Sequence, residues 1–215
     1  MNLLKAISVL FLTLLLTSCC LPSSINPLSP PGEAHYDKQL EGTWYYKEEN
    51  GNIVYLHVGR VKGNFTKAIF TEIGQSGTLG FSVLIMFPSF IGDKNFLNIE
   101  VKQVDDEISF EFKGKGKGYF FAKYEFAVDD SLLVSMIDID GFAKGIQDGK
   151  IKGEITYRKP VIPEGSEDKP REQESKVIDC LRITDKSENI VQFIKDSNTR
   201  ELFSTGFILK RLIVN

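Results

Sequence analysis

Three lysines alternate with glycines in Lys113-Gly114-Lys115-Gly116-Lys117-Gly118, a run whose chemistry suits an anion. Glycines let backbone amides approach a phosphate-like group while the ammonium groups neutralise it, so Lys113, Lys115 and Lys117 are candidates to hold lipid phosphates. The strand-to-helix setting and Gly-Lys-Ser/Thr ending of a nucleotide phosphate loop are absent, and a solvated hairpin explains the same composition. Asp138, Asp140 and Asp148 gather as a second candidate, for a cation or an acid–base pair. They lack calcium-loop spacing, and Asp140 reads instead as the cap of a short helix. His35 and His57, with Cys19, Cys20 and Cys180, do not supply the paired ligands of a metal centre. No Gly-x-Ser-x-Gly elbow presents a serine, and neither histidine is set beside a nucleophile. The expectation is a protein without catalytic residues, metal or cofactor.

Apolar chemistry is better represented. Phe81, Leu84, Met86, Phe87, Phe90, Phe110, Phe112, Tyr124 and Phe126 recur in successive strand-like runs and are candidates to line a cavity for an apolar small molecule. The same side chains would also fill a dry core, and both readings stand at this point. Formal net charge is −3, from 26 basic and 29 acidic residues, so the basic face that a nucleic acid requires is missing overall.

The N-terminus carries the most specific signal. After Lys5, residues 6–16 are almost wholly apolar and end in Leu16-Thr17-Ser18-Cys19. That run is about half of the roughly 20 residues a bilayer-spanning helix needs, so residues 1–18 read as a secretory signal. The pattern resembles bacterial lipoprotein signals. The resemblance implies cleavage before Cys19, diacylation of its sulfur and acylation of the new amino group, with each buried methylene contributing about 0.8 kcal/mol of anchoring. Cys20 is not the aspartate that holds such proteins at the inner membrane, which implies the periplasmic face of the outer membrane. Residues 19–35, with four prolines, read as an extended, semi-rigid tether of about 3 Å per residue ending in a solvated His35. Cys180 reads as a small buried hydrophobe, with a bond to Cys20 as the alternative.

Positioning falls to short alternating runs in residues 36–215. Thr43 to Lys47 and Asn52 to Val58 flank Asn50-Gly51, a hairpin signal, with His57 out of phase with Val54, Leu56 and Val58 and hence on the outer face. Further strands are expected over 65–71, 81–87, 95–104, 107–113, 119–128 and 131–138. The run 81–87 is apolar on both faces until Pro88, so it is covered on both sides or lines a pocket while packing outward. A short helix over 141–148 ends at Gly149, a strand spans 150–158, and residues 160–175 form a polar loop. A strand over 177–183, an amphipathic helix over 187–197 and a last strand over 207–214 complete the chain. The fold class expected is mainly β, a single antiparallel barrel of about eight to ten strands.

Gly42-Thr43-Trp44, at the head of the first strand, resembles the opening motif of lipocalins. The runs FPSFIGDKNFLNIEV, YFFAKYEF, FAKGIQDGKIKGE and ITDKSENIVQFIKDSNTRELF extend that resemblance to small bacterial lipocalin-like lipoproteins over residues 36–215. It implies a barrel whose closed end is plugged by Trp44 beneath a basic side chain of the last strand, with Arg211 first and Arg182 or Lys210 as alternatives. It implies no catalytic residues. Two functions follow as expectations: a ligand-binding barrel anchored in the outer membrane, or an envelope lipoprotein with a filled barrel that binds another protein as assembly factor or inhibitor.

Overall fold

The computed structural model describes residues 22–48, 51–61, 63–73, 77, 79–104, 118–158, 177–203 and 206–213. Eight antiparallel strands close into a barrel: β2 (Gly42–Lys47), β3 (Ile53–Arg60), β4 (Thr66–Ile73), β5 (Leu79–Ile91), β6 (Lys94–Val104), β7 (Phe120–Phe126), β8 (Leu132–Met136) and β11 (Phe207–Arg211). Each strand pairs with its neighbour in sequence, and β11 closes the ring by pairing with both β8 and β2. A separate sheet holds β1 (Ser23–Ser24), β10 (Ile178–Ile183) and β9 (Gly153–Tyr157). The expected alternation over 150–158 and 177–183 is therefore real but belongs to a second sheet, because a period of two says nothing about which partner a strand will find. The strand expected at 107–113, the lysine–glycine run at 113–117 and the loop 160–175 lie outside the described residues.

Pro88 does not stop β5. The strand runs on to Ile91, and beyond the Thr66–Met86 pair it has β6 alone as a neighbour. A proline is tolerated there because no ladder on the vacant side requires its N–H.

Apolar residues of β5, β6 and β7 serve two cores, which is why their runs are apolar on both faces. Inside the barrel Trp44, Ala68, Met86, Leu97, Ala122, Tyr124, Leu132 and Leu209 pack together. On the outer face Phe96 and Phe121 are covered by α1 (Ile139–Gln147), α2 (Ser187–Asp196), α3 (Thr199–Leu202) and the small sheet. Phe142 of α1 meets Phe193 of α2 and Phe203 edge-on, at centroid separations of 5.5 and 6.1 Å. Gly145 lets α2 approach, since a Cβ there would stand 2.4 Å from the Phe193 ring. The cap of α1 is Asp138, which accepts from the Gly141 N–H at 3.0 Å, rather than the expected Asp140. The helix begins two residues earlier than its apolar spacing suggested.

From Pro22 onward the expected tether is folded onto the body. Ser23 and Ser24 pair in parallel with Arg182 and Ile183, and Ser24 also bridges to Tyr119, so the arm stitches the small sheet to the barrel. Leu28 is buried in the outer core, and its N–H donates to Asn98 Oδ1 at 2.6 Å. Asn98 in turn donates to Ser89 Oγ at 2.7 Å, and Ser29 and Ser89 hydroxyls meet at 2.5 Å. Prolines keep the arm extended, as their fixed φ dictates, but its side chains and amides find partners along the barrel. Cys180 also departs from expectation: it is disulfide-bonded rather than a free buried thiol.

Candidate ligand-binding barrel

Gly42 opens β2 at φ +127°, a conformation that residues with side chains rarely adopt, and a Cβ there would stand 2.9 Å from Arg211 Nη1. Both conditions select glycine. Two residues on, Trp44 points into the barrel and is fully buried, with its indole N–H donating to Leu40 O at 2.9 Å and Phe126 tilted against it at 6.2 Å. Arg211 pairs with Trp44 across the β2–β11 ladder and lays its guanidinium over the ring, 4.1 Å from the centroid. Its Nη1 donates to Glu41 O at 2.6 Å, its Nη2 to Gln39 O at 2.7 Å, and its Nε to Asp130 at 3.1 Å. A partly buried cation is held by such partners, and the ring face adds about 0.5–2 kcal/mol to them. Of the alternatives for this role, Lys210 pairs with Tyr45 in the opposite phase, and Arg182 belongs to β10.

The segment before β2 makes the floor of this end. Asp37 accepts from Tyr124 OH at 2.9 Å and from the Gln39 N–H at 2.9 Å. Burial, and then the bond to Asp37, push the Tyr124 phenol well above the usual tyrosine range, so it stays a neutral donor. Arg60 lies over the Tyr36 ring at 4.5 Å. Asp37 and Asp130 were not foreseen as partners here. Asp129-Asp130 is readable as a turn, but nothing local connects Asp130 with a strand 81 residues later.

Pairing register separates the nine residues expected to line a cavity. Leu84 pairs with Ala68 and Val101, Met86 with Thr66 and Ile99, and Tyr124 and Phe126 follow the same inward phase on β7. Phe81 pairs with Thr71, on the opposite face from Ser82. Phe87 is directed outward, where it packs edge-on against Phe65 and Tyr119 at 5.5 and 6.0 Å. Phe90 is 49 % exposed near the β5–β6 turn, with the His35 ring 5.7 Å away. Thus Leu84, Met86, Tyr124 and Phe126 share the barrel interior, while Phe81, Phe87 and Phe90 do not belong to it. Phe110, Phe112, the three lysines and Cys19 lie outside the described residues. His57 is on the outer face, hydrogen-bonded to Thr43 Oγ1 at 3.1 Å.

The inner wall is unevenly buried. At the closed end Trp44, Tyr124, Ala68 and Ala122 have no exposure, and Leu132 has 2 %. Toward the end where β3 and β5 begin, the inward-facing Leu56, Phe70, Leu84, Val101, Val134 and Met136 are only partly buried, whereas Val54 and Phe120 in the same phase are buried. Polar groups interrupt the wall at Thr66 and Ser82, whose buried hydroxyls have no hydrogen-bond partner, and Glu72 is buried in the same inward phase. Such a wall can receive an apolar molecule from the end where β2 finishes, against a floor that is sealed. Among the described residues, no group of three or more His, Cys, Asp or Glu side chains could hold a metal ion.

No protein-family model matches this sequence, and neither the curated proteins nor the solved structures yield a match. The geometry itself identifies the chain as a closed eight-stranded antiparallel barrel, compatible with a calycin-like plan.

Proposed function

We propose that this chain is a lipid-anchored protein of the bacterial envelope, at the periplasmic face of the outer membrane, whose barrel binds a small apolar molecule. The observation that carries the binding reading is the incompletely packed apolar inner wall: Leu56, Phe70, Leu84, Val134 and Met136 are only partly buried, above a Trp44 end where Trp44, Tyr124 and Ala122 have no exposure. A barrel of eight strands is wide enough for one small ligand or for a filling of side chains, and exposure on the inner face favours the ligand. The role is binding, not catalysis. Location rests on the sequence ending Leu16-Thr17-Ser18-Cys19 after an apolar run.

Mass spectrometry of organic extracts of natively purified protein tests the reading. An apolar small molecule in near-stoichiometric amount is expected in the parent, and Leu84→Trp, which fills the wall, should lose it. Repeated extraction without any ligand would overturn the binding role. Cys19→Ser should leave an uncut precursor without lipid, and unchanged size and lipid labelling would remove the anchor. The protein-docking alternative draws on Ile53, Leu79 and Phe207, exposed at 38, 63 and 38 % where their strands begin at the open end. Crosslinking in intact cells that captures one partner through these positions, with an empty barrel, would favour it.

A further inference from the structure

The two outer sides of the barrel differ. Helices and the small sheet close over Phe96 of β6 and Phe121 of β7, whereas β11, β2, β3, β4 and the first half of β5 turn half-buried and exposed side chains outward. Register sets Lys210, Tyr45, Tyr55, Thr71 and Phe81 in one row across these strands. In the same outward phase Lys47 pairs with Ile53 and Lys67 with Ile85. Leu79, Ile208 and Ile53 are exposed at 63, 57 and 38 %. Charge on this wall has one sign. The charged residues that the five strands direct outward are Lys47, Lys67 and Lys210, all exposed, while their one carboxylate, Glu72, faces inward and is buried. The Asp129 carboxyl, held below its usual range by hydrogen bonds from Ser131 and then by the charge of Lys210, lies off the wall in the turn between β7 and β8. A chain of formal net charge −3 thus gathers cations and apolar side chains on one face.

We infer that this wall docks on the surface of an anionic lipid bilayer. The inference stands on the wall itself and does not need an acyl anchor. Leu79, Ile208 and Ile53 leave water when their tips enter the acyl boundary, and Tyr45 and Tyr55, paired side by side, have the apolar body and polar tip suited to the headgroup level. Lysines reach lipid phosphates on flexible stems, and each one close to such a surface favours association about fivefold. Shape selects lipid over a protein partner. The side of a closed barrel is convex, and protein interfaces draw most of their affinity from anchors seated in pockets, whereas fluid lipid moulds itself to a convex wall. Ile53 and Leu79 begin their strands at the open end, so docking sets the mouth of the barrel beside the bilayer.

The experiment places the full chain on vesicles of phosphatidylcholine, alone or mixed with phosphatidylglycerol, with bromine on the acyl chains as a short-range quencher. Ile208→Trp puts a reporter on the wall and Glu188→Trp one on exposed α2, while the parent supplies the background of buried Trp44. Emission of Ile208→Trp should shift to the blue and be quenched several-fold more on the anionic vesicles than on the neutral ones, with Glu188→Trp unchanged. Adding Lys47→Gln, Lys67→Gln and Lys210→Gln should abolish that difference. In the parent, acetylation of Lys47, Lys67 and Lys210 should fall several-fold on anionic relative to neutral vesicles, with exposed Lys186 and Lys195 as constant references. Equal quenching at both reporters or in both lipids overturns the inference, as does equal labelling of all five lysines. Crosslinks from the wall to one protein in intact cells, with no protection on vesicles, overturn it in favour of a protein partner. Labelling of the parent does not depend on whether a variant folds. Flotation reads retention on the vesicles separately, so a chain held on both lipids without protection of the wall defeats this inference and leaves the anchor standing.

Discussion

Leu84 and Phe96 both belong to the β5–β6 hairpin, yet one stands half-buried on the inner wall and the other is sealed beneath helices on the outer face. The outer layer is closely fitted. Phe96, Phe142, Leu181, Ile183 and Ile190 all have no exposure, and Gly141, Gly145 and Gly153 sit where any Cβ would collide with a neighbouring backbone or side chain. Inside the barrel Trp44, Tyr124 and Ala122 are sealed as fully, but Leu56, Phe70, Leu84, Val134 and Met136 are only partly buried. Where the helices cover it, the sheet is thus packed more completely than on its inner face. A wall braced from outside depends less on what fills it from within.

Truncation on the two sides tests that bracing most strongly. Phe142→Ala and Trp44→Ala should each lower stability by about 3–5 kcal/mol in denaturant titration, whereas Leu84→Ala, already in contact with solvent, should fall at or below the low end of the roughly 2–5 kcal/mol usual for such truncations. Equal losses at Phe142 and Leu84 would erase the contrast. Arg211→Ala should come next, at about 1–3 kcal/mol, because it strips partners from two carbonyls as well as the indole. Combined with Trp44→Ala it should cost less than the sum, and strict additivity would mean that ring and cation do not interact.

Asp185 supplies a pH-dependent term in the outer layer. Burial acts to raise its pKa, but hydrogen bonds from Asn189 and from the N–H groups of Lys152 and Lys186 outweigh it and hold the carboxyl below the usual range. A depressed carboxyl pKa stabilises fully above the unfolded value, about 3.9, and that contribution is lost as pH falls through the folded value. Asp185→Asn should therefore be less stable than the parent near neutrality and show a shallower decline below about pH 4, followed by melting temperature. A decline as steep as the parent's would assign the acid sensitivity elsewhere. Gly149 should matter least, since φ there is +70° and nothing lies within 4 Å of the place a Cβ would occupy. Gly149→Ala should cost about 1 kcal/mol through backbone strain alone, read as a small drop in the denaturation midpoint.

The barrel and the Trp44 end were legible because their signals are local: strand alternation, turn residues, and a glycine two places before the single tryptophan. The face assignments of Phe81 and Phe87 were not, since a strand apolar on both sides gives no phase until its covering is known. The arm was misread for a related reason. Its prolines do produce an extended chain, but the contacts that hold it, such as Leu28 N–H to Asn98, span 70 residues and leave no mark on the arm's own composition. Asp140 was read as the cap from the apolar spacing that follows it, but the helix starts earlier, where Asp138 accepts from the Gly141 N–H.

The two-residue strand β1 has an effect out of proportion to its length. It occupies the side of β10 opposite β9, so the hydrogen-bonding edge of that sheet is already taken at Arg182 and Ile183. An uncovered edge of this kind is a template on which a second chain can add a strand. A processing event or truncation that removed residues 22–24 would therefore do more than loosen the arm: it would bare β10 and invite chains to pair sheet to sheet.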